Sequence, residues 1–145
     1  MPRKRFLIIH GVNLDMIGER ESKVYGVEGI ADINDHIETY AEQTGIEYDI
    51  RSSNIEGEIV NFIHEAKDNY EGIVIDPGAY GLYSYAIRDA IAAVCVPCAE
   101  VHFSNLFARE DFRHDSVIAP VCVGCITGFG KESYTLAIEG LLKIV

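Results

Sequence analysis

The chain has 145 residues, 48% of them hydrophobic, which suits one domain (residues 1–145) with one core and argues against disorder. Its formal net charge of −11 disfavours nucleic acid and anionic membranes as partners, because both would repel it. No apolar stretch is long enough to cross a bilayer, and the apolar run after MPRKR is too short for a signal peptide, so we expect a cytoplasmic protein.

Apolar runs alternate with helical patterns along the whole chain. Five apolar runs predict buried strands at residues 5–10, 47–51, 72–76, 96–102 and 120–126. Helical spacing of apolar residues predicts four helices, at residues 27–44, from a cap at Asn54 through Ala66, at 83–93 and at 131–143. Strands this apolar indicate a parallel sheet covered on both faces. We therefore predict an α/β fold of the flavodoxin-like, three-layer α/β/α type, with five parallel strands in the order 2-1-3-4-5.

In such a sheet, ligands bind beyond the carboxyl ends of the strands. Residues 10–13, 76–80 and 102–105 follow the first, third and fourth predicted strands. Residues 12–26 form a long loop after the first strand, and a loop of that length in a compact domain is often a lid.

A carboxylate and a histidine end the fourth predicted strand. Glu100 and His102 stand two residues apart, which places them on one face of a strand, where the carboxylate can raise the proton affinity of the imidazole. Arg109, Arg113 and His114 follow closely and favour an anionic or polyhydroxylated ligand. The pattern predicts a general acid beside a ligand clamp. The alternative is a strand-end ion pair with solvated arginines.

Four cysteines form two CxxC pairs, Cys95–Cys98 and Cys122–Cys125, a pattern that can mark zinc. Both pairs lie in runs that are apolar enough to be buried strands, where residues three apart point to opposite faces. We therefore interpret them as core cysteines rather than metal ligands, and we expect no disulfides in a reducing compartment.

Four segments together resemble the type II 3-dehydroquinate dehydratase family: GVNLDMIGERESKVYG, SNIEGEIVNFIHEA, IDPGAYGLYSYAIRDA and EVHFSNLFAREDFRHDSVIAP. The resemblance runs nearly end to end. It implies a lyase of the shikimate pathway, and so of aromatic amino acid biosynthesis, which removes water from 3-dehydroquinate to give 3-dehydroshikimate. It also implies a small-molecule substrate, a trimer-based dodecamer, and neither cofactor nor metal.

The resemblance implies a role for five catalytic residues. Tyr25 matches the family's base and Arg20 the arginine that activates it, which is reasonable because tyrosine titrates near pH 10 and a guanidinium favours its anion. Asn13 matches the asparagine that steadies the enolate oxygen through a water. His102 matches the acid that protonates the leaving hydroxyl, and Glu100 the carboxylate that orients this acid.

The resemblance also implies which residues bind the substrate. The backbone around Phe103 and Ser104 matches the segment that holds the substrate carboxylate, and Arg113 matches an arginine that contacts substrate hydroxyls. Asp89 matches an acidic residue that reaches the site of a neighbouring subunit.

Two substrate-contacting positions depart from the family pattern: Asp76 stands where the family has asparagine, and Leu82 where it has histidine. A smaller departure is Val12, where the family has proline. A carboxylate about 4 Å from a substrate carboxylate costs about 4 kcal/mol at an effective dielectric constant of about 20. We therefore keep two alternatives open: a paralogue that acts on a different cyclic hydroxyketone, and a non-catalytic binding protein.

A receiver-like phosphoacceptor is a further interpretation of Asp76, since it ends the third predicted strand. Receivers hold a divalent metal with acidic residues after the first strand. This chain has the sequence HGV there, which contains no acidic residue and therefore argues against the receiver interpretation.

Overall fold

The structure is a computed structural model that describes residues 2–17 and 28–145. Five strands form one parallel sheet with the order β2-β1-β3-β4-β5, which confirms the predicted sheet. Most of the predicted lid, residues 18–26, lies outside the described residues. The strands are β1 (Arg5–His10), β2 (Glu47–Ser52), β3 (Gly72–Asp76), β4 (Cys98–His102) and β5 (Gly124–Thr127).

Helices cover both faces of the sheet, as the sequence predicted. The described part of the chain has four α-helices: α1 (Ile30–Thr44), α2 (Glu56–Glu65), α3 (Tyr85–Val94) and α4 (Glu132–Leu142). In β1, Phe6 and Ile8 pack into one core with α1 and α4, while Leu7 and Ile9 pack into a second core with α2 and α3. Side chains alternate between the faces of a strand, so a wholly apolar strand serves two cores. None of the described helices is long and apolar enough to cross a membrane.

The entry to α2 differs from the prediction that Asn54 caps it. The helix begins at Glu56 with Ile55 at the N-cap position, and Ser53 Oγ accepts the Ile55 N–H at 2.9 Å. The Asn54 side chain instead accepts the backbone N–H of Asn13 at 2.8 Å. Asn54 is therefore used to fix the loop after β1.

Two strands begin later than predicted, and in each case the first cysteine of the CxxC pair lies before the strand. Cys95 ends α3 in the left-handed conformation with φ 57°, so β4 begins only at Cys98. Ala119–Val121 forms a 3₁₀ turn, so β5 begins only at Gly124. The prediction that both CxxC pairs lie in buried strands was therefore wrong: only Cys98 and Cys125 are in strands, and Cys125 is exposed.

The cysteines of the structure are all free thiols. Among residues 2–17 and 28–145, no group of three or more His, Cys, Asp or Glu side chains could hold a metal ion.

Gly11 allows the chain to leave β1 in contact with the end of β3. Its N–H donates to the Asp76 carbonyl oxygen at 2.7 Å. A Cβ at this position would lie 2.6 Å from that oxygen and 2.7 Å from the Pro77 carbonyl carbon. Both are backbone atoms next to the carboxyl ends of the strands, so any larger residue would displace that edge.

We expect Gly11→Ala to lower the free energy of unfolding by about 1–3 kcal/mol, because the added methyl group overpacks two backbone atoms. Gly140→Ala is the matched control, since a Cβ there meets nothing within 4 Å and alanine in a helix should stabilise by about 0.5–1 kcal/mol. Urea unfolding of both variants measures the difference. Equal stability of the two variants would contradict the close approach at Gly11.

Candidate active site

Four titratable side chains are buried together at the carboxyl ends of β1, β3 and β4. His10 ends β1 and lies opposite Asp76, which ends β3, while Glu100 and His102 are on β4. None of the four is more than 5% exposed. Charged residues are almost never fully buried unless they are paired. The partners of each group therefore determine its charge and its ability to donate or accept a proton.

Glu100 and His102 are in direct contact. His102 Nε2 lies 2.5 Å from Glu100 Oε2, and Ser116 Oγ donates to the other carboxylate oxygen at 2.7 Å. Burial lowers the pKa of His102, but the hydrogen bond to Glu100 and the charges of Asp76 and Glu100 outweigh it, so the pKa is raised overall. Because Nε2 is taken by Glu100, Nδ1 is the nitrogen that remains to give a proton to a ligand.

Asp76 is surrounded by protein groups on both carboxyl oxygens. Oδ1 accepts the Gly78 N–H at 3.0 Å and lies 3.7 Å from His102 Nδ1, and Oδ2 lies 3.5 Å from the Tyr134 hydroxyl. Burial raises the pKa of Asp76, although the charge of His102 and backbone hydrogen bonds from Gly78 and Phe103 oppose this. Asp76 is thus far more constrained than a free carboxylate facing a substrate.

Beyond Asp76, a chain of polar groups that the sequence analysis did not identify extends into the core. The Tyr134 hydroxyl lies 3.2 Å from His10 Nδ1, and His10 Nε2 lies 2.8 Å from Asn34 Oδ1. Burial lowers the pKa of His10 and raises that of Tyr134 well above its usual value. The only available signal was His10 at the end of an apolar strand, since Tyr134 in its helix is indistinguishable from a core aromatic.

A pocket opens beside His102, and most of the predicted site residues lie around it. Eight of these line it: Asn13, Asp76, Leu82, His102, Phe103, Ser104, Arg109 and Arg113. Glu100 lies behind His102, as described above. Asp89 is exposed on α3 beside Arg88 and is not among the lining residues of the described chain. Tyr25 and Arg20 lie outside the described residues.

Two arginines give this pocket positive charge in a chain of net charge −11. Arg109 and Arg113 both line it; Arg109 Nη1 donates to Ser104 Oγ at 3.4 Å, and Arg113 Nε donates to Glu110. His114, the third basic residue of the predicted clamp, contacts the carbonyl oxygen of Arg109 through Nε2 at 3.2 Å. Cations at a cleft attract anionic ligands locally despite an opposing net charge.

Comparison with known proteins gives a consistent result. The family described as "Dehydroquinase class II" matches residues 4–142. A 3-dehydroquinate dehydratase of Halothermothrix orenii is 51% identical over 141 residues, which are 97% of this chain and 95% of that protein. The crystal structure of a type II dehydroquinase from Butyrivibrio crossotus has a TM-score of 0.94 at 46% identity and covers 97% of this chain and 98% of its own. A 3-dehydroquinate dehydratase-like protein from Bifidobacterium longum, with TM-score 0.71 and 28% identity, covers 97% of both chains.

We expect Glu100→Gln to lower the pKa of His102, because the amide removes the negative charge that opposes the cost of burying an imidazolium. Titration of the His102 ring by NMR measures this directly. Glu65→Gln is the control, since Glu65 pairs with Arg51 on the surface, and the His102 titration should not respond to it. An unchanged His102 titration in Glu100→Gln would contradict the pairing.

Proposed function

The chain belongs to the class II dehydroquinase family, and we propose that it is a 3-dehydroquinate dehydratase, a hydro-lyase that converts 3-dehydroquinate to 3-dehydroshikimate in the shikimate pathway. The observation that carries this function is the buried Glu100–His102 pair, which places an imidazole of raised pKa at a pocket with two arginines. That arrangement combines a proton donor with a binding site for an anionic substrate.

His102 is the proposed general acid. Removal of the proton next to the substrate ketone gives an enolate, and collapse of the enolate expels the β-hydroxyl group, which leaves as water only if it receives a proton. His102 Nδ1 supplies this proton, while Glu100 holds Nε2 and stabilises the imidazolium before transfer. The reaction then needs only side-chain acids and bases, without cofactor or metal.

Proton removal is assigned to the loop after β1. We propose Tyr25 as the base and Arg20 as the cation that favours its anion, on the resemblance of GERESKVYG to the family. Asn13 is proposed to steady the enolate oxygen through a water. In support, Asn13 lines the pocket with left-handed backbone at φ 67°, and Asn54 holds its N–H.

Substrate binding is assigned to the segment after β4 and to a neighbouring subunit. The backbone at Phe103 and Ser104 is proposed to hold the substrate carboxylate, and Arg113 to contact the hydroxyls. Asp89, whose side chain is 74% exposed, is proposed to reach the pocket of another subunit in a trimer-based dodecamer. A cytoplasmic location is also part of this proposal.

A second candidate function keeps the same elimination but uses another cyclic hydroxyketone. Leu82 favours it, since this apolar side chain lines the pocket where the family pattern has a histidine. The two candidate functions predict different effects of a histidine at position 82 on the enzyme's action on 3-dehydroquinate.

We expect Tyr25→Phe and His102→Asn each to lower kcat for 3-dehydroquinate by at least about 100-fold, the usual contribution of a general acid or base. The measurement is the rise of enone absorbance with purified protein. Tyr48→Phe on β2 and His64→Asn on α2 are matched controls away from the pocket and should retain activity. Turnover that survives both site variants would contradict the assigned roles.

We expect Leu82→His to lower KM for 3-dehydroquinate by about 5- to 150-fold, since a hydrogen bond to a substrate hydroxyl is worth about 1–3 kcal/mol. Leu136→His, on the exposed side of α4, is the control and should leave KM unchanged. If Leu82→His instead weakens turnover, the pocket is adapted to a different substrate.

A further inference from the structure

We propose that Asp76 is held as an uncharged carboxylic acid by a relay through Tyr134, His10 and Asn34, and that this state allows the pocket to accept a substrate carboxylate. Asp76 is then a specificity-determining residue that reproduces the hydrogen-bonding pattern of an amide. The kinetic consequence rests on the proposed function, whereas the protonation state can be measured without any substrate.

Counting donors and acceptors along the relay favours the acid. Asn34 Oδ1 is an acceptor, so His10 Nε2 carries a hydrogen and donates to it at 2.8 Å. A neutral His10 then presents Nδ1 as an acceptor. The Tyr134 hydroxyl has one hydrogen, which it can give to His10 Nδ1 at 3.2 Å or to Asp76 Oδ2 at 3.5 Å, and we assign it to the nearer acceptor, His10. His10 is fully buried and burial lowers its pKa, which supports the neutral imidazole.

With its hydrogen used by His10, the Tyr134 oxygen can only accept from Asp76. Asp76 Oδ2 lies 3.5 Å from it, so a proton on Oδ2 completes the chain Asp76 to Tyr134 to His10 to Asn34. Oδ1 meanwhile accepts from Gly78 N–H. The Phe103 backbone also hydrogen-bonds to this carboxyl group. A carboxylic acid can accept from both backbone groups and still give its own hydrogen to Tyr134, whereas a carboxylate has no hydrogen to give.

The charges around Asp76 favour the same state. Among the described residues, it is faced by His10 from β1, His102 from β4 and Tyr134 from α4. The His102 imidazolium already has a counter-ion in Glu100 at 2.5 Å, while Asp76 is farther away at 3.7 Å. Ionised Asp76 would leave one uncompensated negative charge in this buried cluster, which costs free energy.

The remaining cations at the pocket have partners of their own. Arg109 donates to Ser104, and its positive charge opposes the rise of the His102 pKa. Arg113 donates to Glu110. They are also the groups that a substrate anion would approach. Neutral Asp76 leaves this attraction intact, so the electrostatic penalty expected for replacing the family's asparagine does not arise while the proton stays bound.

The direct test is ¹³C NMR of protein labelled at the aspartate carboxyl carbons, titrated with pH, with Asp76→Asn identifying the Asp76 signal. We expect Asp76 to lose its proton well above the ordinary aspartate value of about 3.9. We expect Tyr134→Phe to lower the midpoint, because the acid loses its acceptor. Loss of the proton below about pH 5 in the wild type, or a higher midpoint in Tyr134→Phe, would overturn the relay.

The kinetic test is KM for 3-dehydroquinate against pH. We expect KM of the wild type to rise at alkaline pH as Asp76 ionises, and we expect this rise to be absent in Asp76→Asn, while kcat follows the His102 titration in both. A KM profile of identical shape in the two proteins would overturn the specificity role. Absence of turnover at every pH would instead contradict the proposed function and leave the NMR result valid.

Stability gives a measurement independent of substrate and labelling. A carboxyl group whose pKa is raised on folding binds more protons in the folded state, so the free energy of unfolding falls as pH rises toward the folded-state pKa. We expect this fall, which extends from about pH 4 in the unfolded-state range up to the folded-state pKa of Asp76, to be smaller in Asp76→Asn than in the wild type. An equal fall in both proteins would overturn the raised folded-state protonation.

Discussion

The Glu100–His102 contact is the interaction on which the rest of the site depends. It buries an acid and a base on one strand and sets which imidazole nitrogen is free for a ligand. Ser116 donates a hydrogen bond to the second oxygen of Glu100. The carboxylate is therefore held in its orientation toward the His102 ring. The pocket, the arginines and the carboxyl end of β3 are then arranged around an imidazole whose orientation is already fixed.

A second constraint is the tight junction of β1 with β3. Gly11 donates to the Asp76 backbone, and Val12 and Gly78 approach so closely that a Cβ on Gly78 would lie 2.5 Å from the Val12 carbonyl oxygen. Backbone contacts of this kind leave little freedom for Asp76 and Asn13. Contacts behind the residues that line the pocket, such as these, hold the site in its working geometry together with the lining residues themselves.

The sequence allowed the sheet order to be predicted from the alternation of apolar strands with helices, which is typical of the flavodoxin-like arrangement. It allowed the Glu100–His102 contact to be predicted from local spacing. A strand with apolar residues at every position has to be central, and a two-residue spacing on a strand has to share a face. The entry of α2 was mispredicted because Asn54 bonds to Asn13, 41 residues away. The Tyr134–His10 contact spans 124 residues, and no spacing rule reaches that far. The roles of Tyr25 and Arg20 came from family resemblance alone.

The long separation of His10 and Tyr134 also bears on when this edge of the sheet can form during folding. The sheet is parallel throughout, so every strand pairing closes a long loop, and folds dominated by such contacts form slowly. α4 is the last helix in the sequence, and a chain emerging from the ribosome offers no hydroxyl to His10 until that helix has been made. Until then two polar groups of the core lack their partner, so an incomplete chain gains little from closing this edge early.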